Sequence, residues 1–154
     1  MKFIMGGTKM FLPFFLVKNM NIKNTRNIAD NCFVCGPNNP FGLRIKFSLD
    51  GEICRAEFTP NERHQGYDNI LHGGILFAIL DDVMANCLFL NGIKCYSARS
   101  EIRYRSPVEI FTPLRFEGFV EKKKQSFVFL RGLGFSMKDE KLIAETKSTF
   151  IRKN

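Results

Sequence analysis

Between residues 75 and 90 the chain is apolar at nearly every position, interrupted only by Asp81, Asp82 and Asn86. A helix that is hydrophobic on all its faces is a buried helix. This run is short for a membrane span and carries two acids near its middle, so a core helix is the expected element. Asn91-Gly92 follows it with residues that stop helices well. Upstream, residues 43–49 alternate apolar and polar as a half-buried strand does, Asp50-Gly51 offers a hairpin turn, and residues 53–58 return as a second strand. A polar loop, residues 59–71, leads into the helix. Beyond it residues 94–104 alternate again, with Ser97, Arg99, Glu101 and Arg103 expected on one face, until Ser106-Pro107 ends the strand. Residues 114–120, 125–135 and 142–151 predict three more strands, separated by Lys122-Lys123-Lys124 and Lys138-Asp139-Glu140-Lys141.

Two strands, one long buried helix and then a run of strands predict an α+β domain with an antiparallel sheet around the helix. Such a sheet has edges that invite pairing with a second chain.

Composition changes this picture little. At 154 residues, with 45% hydrophobic and 25% charged positions, the chain suits one domain with a real core. The 17 Phe against no Trp suggest an apolar or aromatic-tolerant pocket, although most of them belong to the core. A net charge of +8 is compatible with nucleic acid, a membrane surface or a phosphorylated ligand. The basic residues are scattered, however, and no nucleic-acid-binding signature is present, so no nucleic-acid partner is expected. Five cysteines without regular spacing do not make a disulfide framework and point to a reducing, cytoplasmic setting. Cys32-Phe33-Val34-Cys35 has metal or redox spacing. A four-ligand zinc site needs two further ligands, no second pair follows, and a plain structural turn without metal is expected.

Chemistry gathers on the helix. It begins at His72-Gly73-Gly74, where missing Cβ atoms allow close approach and the first amides have no partners within the helix. That end, positive in the helix dipole, suits an anion or a polarised carbonyl, although a tight loop-to-helix junction would use the same glycines. Carboxylates at Asp81 and Asp82 are expensive in an apolar core unless paired or used. His72 and Asp81 are nine residues apart, roughly 13 Å along the axis, so cooperation between the two requires two chains.

At these residues the sequence resembles the hotdog-fold acyl-CoA thioesterases, in the PaaI-like branch of the 4-hydroxybenzoyl-CoA thioesterase superfamily, with His-Gly-Gly and an acid nine residues after the His. Two further stretches fit. Cys32-Phe33-Val34-Cys35-Gly36 followed by Asn39-Pro40-Phe41-Gly42-Leu43 is similar to the opening of one group of these enzymes, and Tyr104-Arg105-Ser106-Pro107 resembles their Tyr-x-x-Pro strand end. The resemblance covers residues 32–152 and implies a hotdog fold, at least a homodimer and possible pairing to a homotetramer. It also implies hydrolysis of an acyl-CoA to free acid and thiol, with no cofactor and no metal.

The resemblance assigns the Gly73 amide to the thioester carbonyl and its developing oxyanion, with Gly74 beside it, and places His72 next to the thioester. It makes Asp81 the nucleophile or the general base. Asp82 is expected to be structural, at the dimer contact. Ser97, seven residues before Tyr104, matches a position that hydrogen-bonds the nucleophile or the water; a surface strand serine is the other reading. Gln65 and Asn69 are candidates for substrate binding, with Gly66 where some relatives carry an amide side chain, and His64 is expected to be a loop residue. Arg103, Arg105 and Lys122–Lys124 suit coenzyme A phosphates by charge, without a specific contact. A non-catalytic acyl-CoA-binding or sensing module on the same fold is the alternative. Asp81 favours hydrolysis, because binding alone does not require a buried carboxylate there.

Residues 1–31 stand apart as a leader, with the hotdog domain expected over 32–154. Phe11 to Val17 form a short apolar run between lysines, but the run contains Pro13 and no small-residue cleavage site follows. An extension without a chemical role, from an over-long start, is the preferred reading and a weak membrane-surface anchor the alternative. No stable membrane insertion is expected.

Overall fold

The computed structural model describes residues 28–152; residues 1–27, most of the expected leader, and 153–154 lie outside the described residues. In chain order the elements are β1 (Ser48–Asp50), β2 (Ile53–Phe58), α1 (Gly73–Phe89), β3 (Cys95–Tyr104), β4 (Leu114–Lys124), β5 (Phe127–Ser136) and β6 (Leu142–Arg152), with a 3-10 turn at Glu62–His64. The strands form one antiparallel sheet in the order β1-β2-β4-β5-β6-β3. α1 packs on one face of it, as the pattern predicts. β3, although it follows the helix directly, crosses to the far edge.

The helix sits low on the sheet because two glycines face each other beneath it. Gly118 of β4 pairs with Gly132 of β5. A Cβ at Gly118 would come within 2.7 Å of the Val83 carbonyl oxygen, and one at Gly132 within 3.2 Å of the Leu80 carbonyl oxygen. The missing side chains admit the helix backbone itself. Around this seat Ile79, Leu80, Val83, Met84 and Leu88 of α1 are fully buried against Leu114, Phe116, Leu130 and Phe150 of the sheet. At its C-terminal end Gly92 adopts φ +74°, while the Gly92 and Ile93 N–H groups donate to the Phe89 and Leu88 carbonyls. The stop read from Asn91-Gly92 is therefore a left-handed glycine cap.

Three details differ from the sequence pattern. The strand expected over residues 43–49 is reduced to Ser48–Asp50. The alternation there is real, since Ile45 and Phe47 are buried, but Arg44 takes φ +55° and the Leu43 and Ile45 amides donate to Phe33 and Val34 instead of to the sheet. The lysines expected to separate two strands continue β4, with Lys122, Lys123 and Lys124 paired to Phe129, Val128 and Phe127. Solvated lysine side chains leave the backbone free to extend the ladder.

The third difference bears on the site. β3 and β6 change register between Ser97, opposite Phe150, and Arg99, opposite Thr149, so Ala98 forms a bulge. Residues opposite each other share a face, and one extra residue reverses the face of what precedes it. Ser97 therefore shares the helix-facing side with Ser100, Ile102 and Tyr104, while Arg99, Glu101 and Arg103 point outward.

No helix among the described residues is long and apolar enough to cross a membrane.

Candidate active site

His72 is the N-cap of α1. Its Nδ1 accepts from the Gly74 N–H at 2.9 Å, and its carbonyl accepts from Ile75 and Leu76. These bonds use three of the first amides and leave the Gly73 N–H as the donor of that turn still to be engaged. Gly73 is held through its carbonyl as well. Tyr104, at the end of β3, donates its hydroxyl to the Gly73 carbonyl at 2.9 Å, and its ring lies 3.4 Å from where a Gly73 Cβ would be. Burial pushes the Tyr104 phenol above its ordinary value.

The loop before the helix is braced from within. The His72 N–H donates to the His64 carbonyl at 2.8 Å. His64 in turn accepts the Asn61 N–H on Nδ1 and packs edge-on to Phe58, and burial, then Arg63, hold its pKa below the usual histidine value. It braces the loop, at the end of the 3-10 turn. The Gln65 side chain accepts from the Asn69 N–H and donates to the Glu62 carbonyl. Asn69 takes φ +63°, and its carbonyl accepts from Ile110. Gly66 has a packing reason: a Cβ there would approach His72 Cα to 3.2 Å.

Asp81 lies two turns further along α1. Its Oδ1 is buried and has no hydrogen-bond partner among the described residues. Burial, then the charge of Asp82, raise its pKa above the ordinary carboxylate value, and hydrogen bonding from Ser97 acts against them. The β3 bulge is what turns Ser97 toward that carboxylate. Within one chain the helix rise keeps Asp81 about 12 Å from Gly73, so the structure brings Asp81 and Ser97 together and, apart from them, His72, Gly73 and Gly74. Asp82 points elsewhere than its neighbour: it accepts from Cys32 and from the Asn86 side chain of its own chain.

Tyr104 was visible in the sequence only as part of a strand-end motif; nothing in the spacing showed that its hydroxyl reaches the first glycine. Arg105 is engaged on the outer face, where it shares Glu145 with Arg131.

Residues 68–143 match the family model of the thioesterase superfamily. Among solved structures, a thioesterase superfamily protein superposes with a TM-score of 0.71 at 23% identity, covering 77% of this chain and 61% of that one. This chain thus spans less than two thirds of that protein's length. The E. coli PaaI protein from the phenylacetic acid degradation operon matches at TM-score 0.68 and 18% identity over 73% of this chain and 81% of its own. A hypothetical thioesterase protein with coenzyme A from Streptococcus pneumoniae TIGR4 matches at TM-score 0.67 and 13% identity, over 71% and 89%. At these identities the likeness is one of fold, and that fold is the hotdog. No curated protein sequence matches the chain.

Proposed function

We propose that the protein hydrolyses an acyl-CoA, or a closely related acyl thioester, to the free acid and thiol. The observation that carries this reading is the Asp81 carboxylate, buried with Oδ1 unpartnered on a helix whose first amide, at Gly73, is also unengaged. A core carboxylate in that state is expensive unless it has work to do. The hotdog neighbour that carries coenzyme A supports the thiol half of the substrate.

In the proposed mechanism the thioester carbonyl oxygen lies against the Gly73 N–H. The helix dipole stabilises the oxyanion as the carbonyl carbon becomes tetrahedral. His72 holds the turn by engaging Gly74, and Gln65 and Asn69 fix the loop that presents His72 and line the approach of the substrate. Asp81 of a second subunit attacks the carbonyl carbon, forming an acyl-enzyme anhydride that water then opens, or takes a proton from the water that attacks. Ser97 orients that carboxylate or water. The thiolate leaves and is protonated from solvent.

Two chains are required because the 12 Å between Gly73 and Asp81 is a property of the helix. The ten residues of β3 form an exposed edge, and Tyr96 and Tyr104 are 52% and 50% exposed there, which supports a homodimer through this strand or a homotetramer of such pairs. The cysteine pattern supports a cytoplasmic setting.

The test is thiol release from short, medium, long and aryl acyl-CoAs, with wild type beside Asp81→Asn, together with the mass in solution. Turnover abolished by the substitution is expected. Acyl-CoA binding without turnover on the whole panel would identify a binding module instead.

A further inference from the structure

We infer that Cys32, Cys35 and Asp82 form a site for one zinc-type divalent cation, separate from the thioester site. The fold supplies what the local spacing lacked. The two sulfurs and a carboxylate oxygen of Asp82 lie within 4.8 Å of one another. Asp82 comes from the middle of α1, fifty residues after Cys32, and its Oδ1 accepts from the Cys32 thiol at 3.8 Å.

Tetrahedral zinc binds thiolate at about 2.3 Å and carboxylate at about 2.0 Å, which places ligand atoms about 3.5–3.8 Å apart. Closing the cluster from its present spacing takes at most about 1 Å of side-chain movement. The support around the ligands is of the kind that metal sites use. Oδ2 of Asp82 accepts from Asn86 Nδ2 at 3.0 Å, and that amide is anchored on the Asp82 carbonyl at 2.8 Å and almost wholly buried. The carboxylate is thereby oriented with one oxygen toward the sulfurs. The cysteine turn is equally constrained: the Gly36 N–H donates to the Cys32 carbonyl, and a Cβ at Gly36 would strike the Cys32 backbone at 2.4 Å.

The three ligands line one cavity of about 280 Å³, together with Lys94, Cys95 and Tyr96. Three protein ligands leave the remaining tetrahedral position to a water in that cavity. Two thiolates and a carboxylate around a divalent cation carry one net negative charge, and Lys94 faces the same space. Soft sulfur ligands select zinc over magnesium or calcium. Bound there, the ion clasps residues 32–35 to the central helix, so the segment whose backbone takes up Leu43 and Ile45 is tied to the core at Asp82.

The test uses the full chain, stripped with a chelator and titrated with Co²⁺ or Zn²⁺ alone. One Co²⁺ per chain with thiolate-to-cobalt charge-transfer absorption is expected, displaced by Zn²⁺. Cys32→Ser and Cys35→Ser should each weaken uptake at least about a hundredfold and Asp82→Asn at least about tenfold, whereas Cys87→Ser leaves it unchanged. On the unmodified protein, Zn²⁺ should slow alkylation of Cys32 and Cys35 at least about tenfold by mass mapping, a readout independent of variant folding. Absence of uptake, uptake that survives Cys32→Ser or Asp82→Asn, or unchanged alkylation with zinc present overturns the assignment.

Discussion

The Tyr104 hydroxyl donates to the Gly73 carbonyl at 2.9 Å, joining the end of the edge strand to the first peptide of the central helix across 31 residues of chain. The N–H of the same glycine, in the preceding peptide unit, is the donor proposed for the oxyanion, so Tyr104 is a positioning residue for Gly73. Tyr104→Phe keeps the ring against Gly73 and removes the bond. A neutral hydrogen bond contributes about 1 kcal/mol, so kcat should fall roughly fivefold while KM changes little. Steady-state kinetics on the best acyl-CoA of the panel measures this, and an unchanged kcat would show that the Gly73 peptide holds its orientation unaided.

Asp81 links activity and stability in opposite directions. Burial and Asp82 raise its pKa, so the folded state favours the neutral acid. The associated stability is fully present below the ordinary carboxylate value of 3.8 and is lost as pH rises through the raised folded value. Asp81→Asn should therefore increase the Tm at pH 7 while lowering turnover by about two orders of magnitude or more. The Tm gain should vanish as the pH falls below the ordinary carboxylate range, which thermal melts across pH would show. In the wild type the acid limb of kcat/KM should lie above that of an unperturbed carboxylate.

The glycine pair under α1 predicts a packing defect. Gly118→Ala places a methyl group 2.7 Å from the Val83 carbonyl oxygen, which belongs to backbone and cannot rotate away. Overpacking of this kind costs about 2–3 kcal/mol, a Tm loss of roughly 6–12 °C for a domain of this size. Gly132→Ala meets the Thr146 methyl at 2.9 Å and the Leu80 carbonyl only at 3.2 Å, so its loss should be smaller. Melting both variants side by side tests the ranking.

Glu145 sits between two guanidinium groups on the outer face of the sheet. Hydrogen bonds first from Arg131 and then from Arg105 lower its pKa from 4.5 to about 2. A depressed carboxylate stabilises the fold above its unfolded pKa and stops doing so as pH falls through the folded value. Glu145→Gln should lower the Tm at neutral pH, with the deficit shrinking between pH 4.5 and about 2. A deficit independent of pH would mean that the carboxylate's shape, rather than its charge, is what the arginines recognise.

The sequence alone determined the central helix, its start at His72-Gly73-Gly74, its glycine stop, the strand order along the chain and the thioesterase resemblance. All of these are local in origin: an apolar run, residues without Cβ atoms, a period of two, motifs of fixed spacing. What needed the tertiary structure was everything set by partners distant in the chain. The bulge at Ala98 exists only in the pairing of β3 with β6, and it alone turns Ser97 from the arginine face toward Asp81. Tyr104 reaches Gly73 because β3 crosses to the sheet edge beside the helix start. Asp82 joins Cys32 and Cys35 because packing brings the early turn against the middle of the helix. Local pattern carries the elements since backbone geometry responds to near neighbours; which side chains meet depends on register and packing, where one extra residue in a strand reverses a face.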